Sequence, residues 1–115
     1  MGEGVIFRAG IENIRESRRF QRPIYEAADE WINLDEGWLA LDGAVSSAEY
    51  PLLASTLGCR SERIDPEDVG RFVIELTSAI ERIRPQPKAR IELTRLLALA
   101  VDCETRGHAL LSSRP

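Results

Sequence analysis

The chain has 115 residues, 43% of them apolar and 30% charged, with a formal net charge of −4. That size suits one folded domain with its own core, here taken as residues 1–115, and the negative charge argues against generic nucleic-acid binding. The apolar runs are too short to span a membrane, and Cys59 and Cys103 with the lone His108 match no zinc spacing, so neither membrane partner, metal nor cofactor is expected. No secretory or myristoylation signal is read at the start, and two isolated cysteines suit a reducing compartment, so the expected setting is cytoplasmic.

Residues 1–10 carry three glycines around Val5-Ile6-Phe7 and read as a short strand or a flexible arm. Ile11–Phe20 reads as a short helix with Ile11 and Ile14 on one face and arginines opposite. Arg22-Pro23 breaks it, and Pro23 suits the first position of a new helix. From there Ile24, Ala27, Trp31, Leu34, Trp38 and Leu41 recur at alternating spacings of three and four, a helical stripe. Gly37 interrupts it, and Asp35-Glu36-Gly37 and Asp42-Gly43 are turn sequences. The helix therefore stops near Leu34 or runs on to Leu41. Trp31 is assigned to the core, and Trp38 stands between core and surface.

Ser46-Ser47-Ala48-Glu49 has capping-box spacing for a helix running to Leu57, with Gly58 as its stop. Asp65-Pro66-Glu67-Asp68 is a stronger helix start, followed by a stripe of Val69, Phe72, Val73, Leu76, Ile80 and Ile83. Pro85 and Pro87 end that helix and open the last, from Lys88 to Thr105 or past Gly107 to Leu111. Its middle, Leu96–Val101, is apolar nearly all round, as in the centre of a bundle or under a partner. The expected fold is mainly α: a small four- to five-helix bundle ending in an antiparallel helical hairpin.

Few residues suggest chemistry. His108 reads as a surface histidine. Glu26 and Glu30 are spaced for one helix face, where a carboxylate pair serves acid–base work or a cation, but a solvated face is the better reading. Leu53-Ala54, Gly58 and Ile64 have helix-turn-helix spacing, yet the following helix opens with Asp65, Glu67 and Asp68, the wrong charge to meet phosphates. Arg15, Arg18, Arg19 and Arg22 alternate with Glu12 and Glu16, as on a solvated face or one matched internally to acids.

Charge is unevenly placed. Residues 23–59 hold seven acids and no Lys or Arg, together with both Trp and both Tyr. An aromatic among unneutralised acids suits a basic protein partner. The expected function is that of a non-enzymatic protein-binding module whose surface is Glu26, Asp29, Glu30, Asp35, Glu36, Trp38 and Asp42. Its partner would present Lys or Arg, as in immunity proteins, antitoxins and phage-type inhibitors, without direct nucleic-acid contact. The alternative is an assembly subunit, a homo-oligomer joined through Leu96–Val101.

Gly37-Trp38-Leu39, Asp42-Gly43, Ser46, Tyr50, Leu53 and Gly58 together resemble the opening of the phage tail-collar domain. The likeness covers about 22 of the 115 residues. The gap between Gly43 and Tyr50 is one residue short, and the later Leu-Pro-Asp-Leu-Arg-Gly motif is absent. The resemblance implies a phage-related source and does not carry that family's fold across.

Overall fold

Residues 5–9 follow the two-residue alternation of a strand: Val5, Phe7 and Ala9 are buried, while Ile6 and Arg8 between them are half-covered. The structure, a computed structural model, describes residues 4–114. Its elements are β1 (Val5–Glu12), α1 (Ile14–Phe20), β2 (Tyr25–Ala27), β3 (Ile32–Leu34), α2 (Glu36–Leu41), α3 (Pro51–Gly58), β4 (Ser61–Ile64), α4 (Pro66–Ile83), α5 (Pro87–Arg106) and β5 (Ala109–Ser113). The mainly α bundle expected from the sequence is therefore wrong. This is an α+β fold built on a five-stranded antiparallel sheet.

β1 is the middle of that sheet and not a flexible arm; residues 1–3 of the expected arm lie outside the described residues. On one side β1 pairs with β5, from Ile6 opposite Ser113 to Gly10 opposite Ala109. On the other it pairs with β3 near its start, Phe7 opposite Ile32, and with β2 near its end, Gly10 opposite Ala27. β5 then pairs with β4, Ile64 opposite Leu110.

α4 and α5 form the expected helical hairpin and cover one face of the sheet. α4 buries Val69, Phe72, Leu76 and Ala79, and α5 buries Ala89, Leu93, Leu96, Ala100 and Cys103. Both sets keep helical spacings of three and four. They meet Val5, Phe7, Leu34, Ile64 and Leu110 from the strands, with Phe7 and Phe72 rings 6.1 Å apart. The apolar girth of Leu96–Val101 is largely spent inside the molecule. Leu96 and Ala100 are in the core, Leu97 and Leu99 are half-buried, and Ala98 and Val101 reach the surface. α5 stops at Gly107, whose φ of 72° is the left-handed cap, and the chain turns into β5.

The stripe from Ile24 to Leu41 is not one helix. It is β2, a loop, β3 and α2 in succession. Leu34 and Leu41 are both in the core, one from a strand and one from a helix, so their sevenfold spacing marks a shared destination and not a shared helix. Trp31, assigned to the core, is 57% exposed, whereas Trp38 packs half-buried against the core. The spacing read as a helix-turn-helix also has another meaning, because β4 separates α3 from α4.

α2 and α3 span only 6 and 8 residues and have no side-chain cap of their own. Helices so short do not stand alone in water. Each is capped from a long helix instead. Glu92 Oε1 on α5 accepts the N–H groups of Asp35 (2.9 Å) and Gly37 (2.7 Å) at the start of α2. Glu75 Oε1 on α4 accepts those of Leu52 and Leu53, each at 3.0 Å, at the start of α3. Gly37 makes the first contact feasible, since a Cβ there would come within 3.2 Å of Glu92 and Leu93.

The sheet edges are blunted. The Arg63 N–H, on the side of β4 away from β5, is taken by Glu62 Oε1 at 3.0 Å. On the far edge, residues 28–31 stand opposite only residues 8 and 9 of β1, and this bulge separates β2 from β3.

Removing either capping carboxylate frees two backbone donors. Glu92→Ala and Glu75→Ala should each lower unfolding free energy by about 1–3 kcal/mol. Glu81→Ala, on an exposed site, should change it by less than about 0.5 kcal/mol. Urea denaturation measures both, and hydrogen exchange at Asp35 and Gly37 should quicken in Glu92→Ala alone.

Candidate functional site

The acidic residues singled out by the sequence do not form one patch. Glu26 lies on β2 and accepts a hydrogen bond from Asn13 Nδ2 at 3.3 Å. Asp29 and Glu30 lie in the bulge between β2 and β3. Asp35 and Glu36 open α2, and Asp42 closes it. All six are exposed, and none takes part in an ion pair among the described residues. The carboxylates at the start of α2 also face the positive end of that short helix.

Trp38 does not join them at the surface. Its ring lies under the Arg114 guanidinium, whose Cζ is 5.4 Å from the ring centroid, and its Nε1 is buried without a hydrogen-bond partner. The exposed aromatic of the segment is Trp31, which sequence periodicity had placed inside. The signal that could have corrected this is local: Asp29-Glu30-Trp31 has no second apolar residue at strand spacing to carry a buried face.

Asp29 and Glu30 rim a groove of about 230 Å³ where the end of α5 meets β1 and the bulge. Its floor is Ala9, Ile11, Ala28 and Leu99, and its far wall is Asp102, Arg106 and His108. Asp102 is already engaged by Arg106 Nε at 3.0 Å. The uncompensated charge of the groove is therefore negative and comes from the bulge. The volume lies below the 300–1,000 Å³ common for small-ligand pockets and suits one long side chain. Such a side chain would lay its methylenes on the apolar floor and bring a cation to the rim. His108 and Ile11 belong to this groove, and neither was assigned to it from sequence pattern. Glu26, Asp35, Glu36 and Asp42 lie outside it.

The remaining reactive groups are separated. Cys59 is exposed and Cys103 is buried in the core. No group of three His, Cys, Asp or Glu side chains among the described residues is placed to hold a metal ion. No described helix is long and apolar enough to cross a membrane. Burial, aided by the Asp102 charge, pushes the Cys103 thiol up to about 11. Tyr25, on the opposite face of the sheet, is pushed up by burial and by the carboxylates of Glu12 and Asp65.

Comparison of the chain with known protein families, curated proteins and solved structures finds no match.

Cys103 supplies a test of the core. A disulfide-exchange reagent should titrate one thiol, Cys59, in the folded protein and the second only on unfolding. Since the folded-state pKa is the raised one, the thiol's contribution to stability is complete below the unfolded value, near 9, and is lost as pH climbs toward about 11. Stability measured across that window should fall less steeply in Cys103→Ala than in the wild type.

Proposed function

We propose that this chain is a non-enzymatic protein-binding module that receives a basic partner at its acidic segment, with the groove beside Asp29 and Glu30 as the anchoring point. The observation that carries the reading is the six exposed carboxylates without an ion-pair partner among the described residues, two of them on a groove with an apolar floor. The spread of the others supports a steering role. Glu26, Asp35, Glu36 and Asp42 extend the negative field around the anchor, which raises the rate of encounter with a cationic surface more than the final affinity. A Lys or Arg side chain entering the groove then gives orientation and a slow off-rate. Inhibition of a basic, nucleic-acid-handling enzyme by an immunity-type, antitoxin-type or phage-type protein is the use this chemistry fits.

A second reading rests on α5. Ile91, Thr94, Ala98, Val101 and Thr105 form a stripe at helical spacing on its outer side, with Ile91 and Val101 exposed. That stripe suits a helix-to-helix interface in a homo-oligomer.

Capture from the native source separates these readings. The first expects a partner of basic surface, lost with added salt, and retained at least about tenfold less by Asp29→Lys/Glu30→Lys than by Asp42→Lys. Recovery of the same proteins by all three forms, with equal salt sensitivity, would sink it. The second expects sedimentation as a dimer that Val101→Glu converts to a monomer.

A further inference from the structure

α2 to α5 lie on one face of the sheet, and the other face holds a cleft of about 470 Å³ with different chemistry. Strand register sets its rows. Arg8 on β1, Leu111 on β5 and Arg63 on β4 stand directly opposite one another. The next row is Ile6, Ser113 and Ser61. The floor is therefore leucine and two seryl side chains, with an arginine on each side. Cross-strand spacing puts the two arginine Cα atoms roughly 10 Å apart.

The arginines are not equivalent. Arg63 is neutralised by Asp65 at 2.8 Å and lies over the Tyr25 ring, 5.3 Å from its centroid. Arg8 has no carboxylate and no side-chain hydrogen bond among the described residues. Its guanidinium lies over Trp31, 5.4 Å from the centroid. Stacking occupies the flat face of a guanidinium and leaves its N–H edge free. Trp31 thus holds a half-buried fork of donors in place without satisfying it. The nearest acid on the same side of β1 is Glu12, four residues along and opposite Tyr25.

We propose that this cleft is a binding site for a small organic monocarboxylate with a flat apolar body, anchored by Arg8. A planar carboxylate matches the edge of the fork in a bidentate pair. Glu62 also lines the cleft, but its carboxylate is turned to the Ser55 hydroxyl (3.1 Å) and the Arg63 N–H (3.0 Å). Arg8 is therefore the cation there without an ion pair among the described residues, and a single such fork fits a monoanion better than a phosphate dianion. Leu111 and Ala27 supply the apolar lining, and the Ser61 and Ser113 hydroxyls supply further donors. The volume falls within the range of small-molecule pockets. The site lies on the opposite face of the sheet from the Asp29 groove and does not depend on it.

The test uses the full chain and 2-naphthoate as the probe, with 2-naphthamide and inorganic phosphate as controls, followed by calorimetry and by NMR of the Arg8 Nε–H and backbone amides. Naphthoate should bind saturably and shift Arg8, Leu111 and Ser113. Naphthamide should bind at least about tenfold more weakly, because the charged hydrogen bonds are lost. Arg8→Gln should lose binding to the same extent. Ser113→Glu changes an exposed position and places a carboxylate beside Arg8, so it should block the site while the fold is kept; it decides the matter if Arg8→Gln does not fold. Equal binding of the acid and the amide, wild-type binding by Ser113→Glu, shifts confined to the Asp29 groove, or tighter binding of phosphate than of naphthoate would each overturn the proposal.

Discussion

Two carboxylates fix α2 and α3 to the long helices. Glu92 on α5 takes the first free N–H groups of α2, and Glu75 on α4 does the same for α3. Neither short helix has the length to persist without help, and neither brings a capping side chain. The helical hairpin therefore does two jobs. Its inner stripe covers the sheet, and its flanks supply the anions that finish α2 and α3. The placement of Leu41, Leu53 and Leu57 in the core follows from those contacts, because the helices that carry them are docked by their N-termini. The same contact sets Asp35 and Glu36 beside Glu92, concentrating negative charge at the positive end of one helix.

The parts of the fold that sequence pattern makes legible are those whose order is local. α4 and α5 are long, amphipathic and bounded by Pro66, Pro87 and Gly107; each starts within one or two residues of its expected place, and α5 ends at Arg106, the shorter of its two expected spans, with Leu111 in β5 instead. The strands are 3 to 8 residues long, and their partners are distant: β1 pairs with β5 about a hundred positions later. Three-residue strands carry too few positions to display a period of two, and long-range pairing leaves no local trace. β1 shows the same limit differently. Ile6 interrupts its alternation of buried and polar residues, so the sequence reads as either a short strand or a glycine-rich arm and does not show that this strand is the centre of the sheet.

The stretch from Trp31 to Leu41 shows how a true spacing can carry a false inference. Leu34 and Leu41 do reach one core, and the seven positions between them are real. A strand that enters a helix through a capped turn can return its side chains to the same side with that spacing. Gly37 breaks the apparent helix because close approach to α5 requires a residue without a Cβ. The acidic surface was legible as composition but not as geometry. The lack of Lys and Arg over residues 23–59 survives folding as six carboxylates without an ion pair among the described residues, while the seventh, Glu49, meets Arg82. Which of them meet an apolar surface depends on where α5 ends.

The bulge between β2 and β3 links the two surfaces. It inserts two residues, an even number, so the strand resumes with the same sides facing the same way: Ala27 lies on the open face and Ile32 against the helices. Within the insertion the chain leaves the pleat and projects to both sides. Asp29 and Glu30 turn toward α5 and rim the negative groove, while Trp31 turns to the open face and stacks on Arg8. An odd insertion would have reversed the faces beyond it and taken Leu34 out of the core. The same local device blunts the sheet edge, supplies the acids on one side and holds Arg8, without an ion pair among the described residues, on the other. With both edges of the sheet blunted, recognition falls to its faces and to the bulge that joins them.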